Sequence, residues 1–261
     1  MPRREPARLH LERLEERCQP AGTVSVVQVG GIVRLLGDAA DNAVALEATG
    51  ANDLTITGLA GTSISGPTSV SGVARVYFEL GDGNDSATVE APVPFDGQIV
   101  ARASKGSDSF SIGNGQYNGS IVVLEGNGND AIELQSGTFN GAIILWGNSG
   151  NDTLTVGSSS FARRFEFSGG HGADSVTLDS STFADRVVLH TDDGNDLLTI
   201  TSSSFSTFAL FDLGSSNDKA NLDTVTFPTG KPRSVILGNL GVDTITQTGV
   251  SGSLIVLGFF P

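Results

Sequence analysis

The stretch GNGNDAIELQSGTFNGAIILWGNSGNDTLTVGSSSFARRFEFSGGHGADSVTLDSSTF, residues 126–183, decides the fold. Asp130, Asp152 and Asp174 recur in it at a step of 22 residues. The same step reaches Asp108, Asp196 and Asp218, and steps of 23 and 25 add Asp85 and Asp243. Other positions keep phase with the aspartate. Glycine stands two residues before it in every unit except one, where Ser216 replaces it. Apolar pairs follow two and four residues after it, as in Ile132/Leu134, Leu154/Val156 and Val176/Leu178. A second pair falls thirteen and fifteen after, as in Ile143/Leu145 and Phe165/Phe167. An aromatic stands nine after: Tyr117, Phe139, Phe161, Phe183, Phe205 and Phe227.

A fixed period of this length signals a repeat architecture. Alternation with period two marks strands with one buried face. The Gly/Asn/Asp clusters carry turn chemistry: glycine takes positive φ, and short polar side chains bond nearby backbone. Each unit reads strand, turn, strand, turn. Such a unit cannot bury a core alone, but stacked units share one, with equivalent residues about 4.8 Å apart. The prediction is an all-β chain: a parallel β-solenoid (β-helix) of about eight 22-residue coils, with the aromatics stacked as a column inside or beside one corner, a core ladder rather than a carbohydrate platform.

Three segments are expected. Residues 1–21 form a basic, leucine-containing N-terminal segment. Residues 22–69 alternate like strands but lack the period, and read as an N-terminal β cap or degenerate coil, with Asn52-Asp53 echoing the later corners. Residues 70–261 are the solenoid. Pro92 and Pro94 cannot donate to a central ladder, so a bulge is expected there. Residues 228–233 carry the insertion before Asp243.

The chain has 261 residues and a net charge of −14. An acidic body repels nucleic acid and anionic membrane and suits cations. The sole cysteine, Cys18, excludes an intrachain disulfide framework. No apolar run approaches 18 residues, so no transmembrane segment is expected.

Leu11-Glu12-Arg13-Leu14-Glu15-Glu16-Arg17 resembles the N-terminal segment of exported planctomycete proteins. The resemblance implies export, hence an extracellular or cell-surface location with cell-envelope or matrix components as partners. Gly169-Gly170-His171-Gly172-Ala173-Asp174-Ser175-Val176 resembles the corner motif of calcium-binding RTX β-rolls. That implies calcium at Asp85, Asp108, Asp130, Asp152, Asp174, Asp196, Asp218 and Asp243. It departs from that family in placing one motif per 22 residues rather than one per nine. Two readings of the aspartate row stay open. Calcium would relieve the repulsion of stacked carboxylates, or each carboxylate bonds backbone N–H groups of its own turn.

Catalytic candidates are few, and none is assigned. The body resembles polysaccharide lyases and glycosidases of the parallel β-helix type in architecture only. Those enzymes need converging acids and bases in a cleft. Arg164, Glu166, Asp185 and Arg186 could meet on adjacent coils, where a surface ion-pair cluster is expected. His171 and His190 stand at different phases and are not expected to pair with each other. Fourteen residues after the aspartate, Val122, Ile144, Val188 and Leu210 should face outward, interrupted by Glu166. An exposed apolar row marks an interface, here one covered by another chain (self-association), another domain or the N-terminal cap. The function expected is a non-enzymatic structural or interaction solenoid. The alternatives are a polysaccharide-acting enzyme and a carbohydrate-binding adhesin.

Overall fold

In a computed structural model, residues 22–259 are described. The N-terminal segment 1–21 lies outside them, and so does everything expected of it. The described chain holds strands and turns but no helix.

The alternation of apolar residues becomes two long parallel sheets. One has 12 strands, the other 14. Strands from successive coils are neighbours in each, and the register is the sequence period itself. Leu145 pairs with Phe167, Phe167 with Leu189, and Leu189 with Phe211. In the second sheet Leu154, Val176, Leu198 and Ala220 line up in the same way. These inward residues are almost wholly buried and form one continuous core.

Each coil has a third, short side that the two-strand reading missed. After Thr153–Gly157 the chain bends at Ser158 and continues as Ser160–Phe161. Ser158, Ser180 and Ser202 hold φ near +50°, a left-handed turn that short polar residues tolerate. The next serine turns inward and stitches coils together. The Ser159 N–H donates to Ser181 Oγ and the Ser181 N–H to Ser203 Oγ, both at 3.1 Å. A repeated Ser-Ser six and seven residues after the aspartate was the available signal.

The aromatic column is real and internal. Phe139, Phe161, Phe183 and Phe205 stack with centroids 4.8–5.0 Å apart and planes within 7° of parallel. The strand spacing sets the interval, and it falls in the range of favourable stacked aromatic pairs. Edge-on contacts add to the column, with the Phe165 ring 5.0 Å from Phe161 at 76°.

The N-terminal part is both a coil and a cap. Ile32–Leu36 and Ala43–Gly50 pair in parallel with the strands of the first regular coil. Hairpin partners Thr23–Val29 and Asp53–Gly58 run antiparallel to them and cover that end. The corner equivalent to the later ones is therefore Asp41-Asn42. The echo at Asn52-Asp53 is a hairpin turn, because only Asn42 continues the aspartate row. The expected irregularity at Pro92 and Pro94 appears as a register shift between Ser86–Phe95 and Ser109–Tyr117.

At the corners, glycine is required by close approach. Gly150 has φ +134°, and a Cβ there would overlap the Gly128 carbonyl oxygen of the preceding coil. Ser216 holds φ +95° in the same row, a conformation strained for any side chain. Ser216→Gly should raise stability by about 1 kcal/mol, read as a higher urea midpoint at unchanged slope. Phe161→Ala should lower it by about 3–5 kcal/mol in the same titration.

Candidate functional site

The aspartate row lies along a single edge between the two sheets, and every member is at most 4% exposed. Every carboxylate of the row bonds between coils, and Asp130 alone adds a backbone bond within its own turn. The Asp130 backbone N–H donates to Asp152 Oδ1 at 2.9 Å, Asp152 N–H to Asp174 Oδ1 at 2.7 Å, and Asp174 N–H to Asp196 Oδ1 at 2.7 Å. The chain of bonds begins at Asn42, whose N–H donates to Asp85 Oδ1, and ends with Asp218 N–H donating to Asp243 Oδ1. All eight predicted residues are thus brought into one ladder.

Outside this row the asparagines bond in the opposite sense. The Asn151 N–H donates to Asn129 Oδ1 at 2.8 Å, and the Ala173 N–H to Asn151 Oδ1 at 2.7 Å. Aspartate in the later coil accepts from the earlier one, while asparagine in the earlier coil accepts from the later.

The second aspartate oxygen is the unusual feature. Oδ2 is buried without a hydrogen-bond partner among the described residues in Asp85, Asp108, Asp152, Asp174, Asp196, Asp218 and Asp243. Only Asp130 Oδ2 accepts a bond, from the Gly126 N–H at 3.3 Å. Burial therefore pushes the carboxyls up, against the opposing effect of the accepted N–H. Asp108 and Asp152 rise to about 6, Asp174 and Asp218 to about 7. Neighbouring carboxylates of the row add to the rise.

What faces Oδ2 is set five residues earlier, by Leu80, Ala103, Glu125, Gly147, Gly169, Thr191, Leu213 and Gly238. At Gly147 and Gly169 the Oδ2 of Asp152 and Asp174 occupies the space a Cβ would need. These coils offer an ion no second side-chain oxygen. Glu125 is the one acid in this facing row. It is 5% exposed, and burial together with Asp130, Asp108 and Asp152 pushes its carboxyl up to about 9. The reading of sequence missed Glu125, although an acid at an inward phase was visible once the register was drawn.

The remaining candidates lie on the surface. Glu166 bridges Arg164 at 3.3 Å and Arg186 at 3.0 Å, while Asp185 bonds the backbone N–H of Arg186. The two histidines each meet an acid of the next coil: His171 lies 3.0 Å from Asp193 and His190 lies 3.6 Å from Asp212. An open groove of about 720 Å³ runs across these coils, lined by Asn148, Ser168, His171, Asp192 and Asp193 among others. Val122, Ile144, Glu166, Val188 and Leu210 do line up across the first sheet, pointing outward and half-buried.

No protein-family model, curated protein or solved structure matches the chain. No helix among the described residues is long and apolar enough to cross a membrane.

A carboxyl that binds its proton more tightly folded than unfolded favours the folded state at low pH. For Asp174 and Asp218 that advantage is full below the ordinary value of 3.8 and is lost as pH rises through about 7. In chelator, melting temperature should therefore fall between pH 5 and pH 8. Asp174→Asn keeps an acceptor for the Asp152 N–H and removes the buried charge. It should melt higher than the parent at pH 8 and show a shallower pH slope. Asp174→Ala leaves that N–H unpaired and should cost about 1–3 kcal/mol.

Proposed function

We propose that the protein is a non-enzymatic structural and interaction module of the cell surface or extracellular matrix, built as a stiff rod. The observation that supports this reading most is the continuity of the inter-coil ladder. Nine consecutive corners, from Asn42 to Asp243, are joined by eight bonds with no break. Coil stacks of this kind present extended surfaces to partners. The polar groups on that surface follow the coil period rather than converging on one point. An acidic body favours cationic and neutral partners over nucleic acid or anionic lipid. The row Val122, Ile144, Val188 and Leu210 provides an apolar strip for self-association, lengthened by Val100 and Val235 in the same register.

One observation favours a second reading. The groove at His171 combines amide, hydroxyl and carboxylate groups on an open floor. Exposed Trp146 is paired to Ser168 at its edge. Polar groups of this kind beside an aromatic face suit a polysaccharide.

Incubation with a panel of acidic and neutral polysaccharides should give no new reducing ends and no unsaturated products. Sedimentation should show a concentration-dependent species heavier than the monomer, which Val188→Lys removes without changing the melting temperature. Product formation, abolished by His171→Ala, would instead establish the enzyme.

A further inference from the structure

We infer that the ladder contains one discrete binding site for a hard divalent cation of calcium size, built around Glu125 between Asp108 and Asp130. One oxygen from each of these three residues lies within 4.8 Å of the others, and all three side chains are buried. Calcium bonds oxygen at about 2.3–2.6 Å, so one ion spans oxygens about 4.8 Å apart.

Three further observations point to a ligand. Glu125 Oε1 and Asp108 Oδ2 have no hydrogen-bond partner among the described residues. Both residues line one narrow pocket, with Asp85, whose Oδ2 is likewise unpaired, at its other wall. Room for that pocket comes from Ala103, the small residue in the coil before Glu125. No ion pair among the described residues involves any of these four acids. Several acids thus converge in a buried place with no ion pair to any of them; the one cation lining the pocket, Arg102, is exposed, and a proton or a bound cation would relieve the arrangement.

The fold itself does not call for an acid there. Coils on either side fill the same position with alanine or glycine, so a neutral residue closes the corner equally well. Glu125 adds the second carboxylate oxygen that the other coils lack. Asp130, whose Oδ2 is the one turned toward a local N–H, stands beside it. Asp108, Glu125 and Asp130 would bind the ion directly. Asp85 and the one water that a pocket of about 10 Å³ has room for would add to its shell. The ion is an oxygen-seeking one, since no nitrogen or sulfur ligand is present.

The site is independent of the proposed structural role, and its test does not depend on that role. Trp146 is the sole tryptophan and pairs with Leu124, the residue before Glu125. It can sensitise terbium bound in calcium's place. Terbium added to the full chain at pH 7.5 should give saturable emission on tryptophan excitation, with a stoichiometry of one, displaced by calcium. Glu125→Gln should weaken binding at least tenfold. Glu125→Gly copies the residue of the next two coils, should fold, and should abolish emission. Calcium should raise the melting temperature of the parent and leave Glu125→Gly unmoved. Absence of emission and of any calcium shift in the parent overturns the assignment and leaves Glu125 as a protonated acid. Emission that survives in Glu125→Gly also overturns it, placing the ion elsewhere.

Discussion

The structure depends on a backbone N–H meeting a carboxylate oxygen one coil away. Strand pairing in each sheet would let neighbouring coils slide by two residues at little cost to the backbone ladder. The aspartate bond does not. It forms only when equivalent corners stand directly above one another, as Asp152 does over Asp174 at 2.7 Å. With that alignment set, the phenylalanine column, the serine ladder and the apolar rows follow automatically. A bond to a charged acceptor in a buried place is also among the stronger hydrogen bonds a protein makes.

Each such bond uses half of a carboxylate. The other oxygen is left in the interior, and the row as a whole sets like charges near one another. The molecule answers this in different ways along its length. Protonation at Asp174 and Asp218 is within reach of neutral pH. At the first corner Asn42 takes the position, and its amide donates to the carbonyls of Ala40 and Leu80. At Glu125 a further acid is added, which makes sense beside a cation. The same corner geometry thus accommodates a protonated carboxyl at Asp174 and Asp218 and an amide at Asn42.

Most of the fold was legible because equivalent residues repeat at one interval and stacking turns interval into register. Asp130, Asp152 and Asp174 specify the edge, and Phe139 and Phe161 specify the column. Ser158 was harder to read. A single left-handed residue makes a corner without glycine or proline, and serine is common everywhere in this chain. The cap was misread for a physical reason as well. Asp41-Asn42 is far from Asp85, with Asn42 43 residues before it, since the strands Asp53–Gly58, Ser63–Ser65 and Ser69–Val70 are inserted into that coil, and Asn52-Asp53 offered a nearer but local imitation. In the site, the eight aspartates were found but the direction of their bonds was not. Own-turn and inter-coil hydrogen bonding leave the same letters in the sequence. Glu125 escaped because it departs from the repeat, and the repeat was what guided attention.

The opposed sense of the two polar ladders gives the assembly a direction of growth. The N–H at each aspartate corner is satisfied only by the carboxylate of the coil that follows it. The asparagine already in place offers its oxygen to that same arriving coil. A chain emerging from its amino end would therefore present a waiting donor to the segment next synthesised, and a waiting acceptor wherever the corner carries asparagine. Elongation in that order lets each new turn dock on a finished template, so the molecule can be laid down like thread on a spool as it is made.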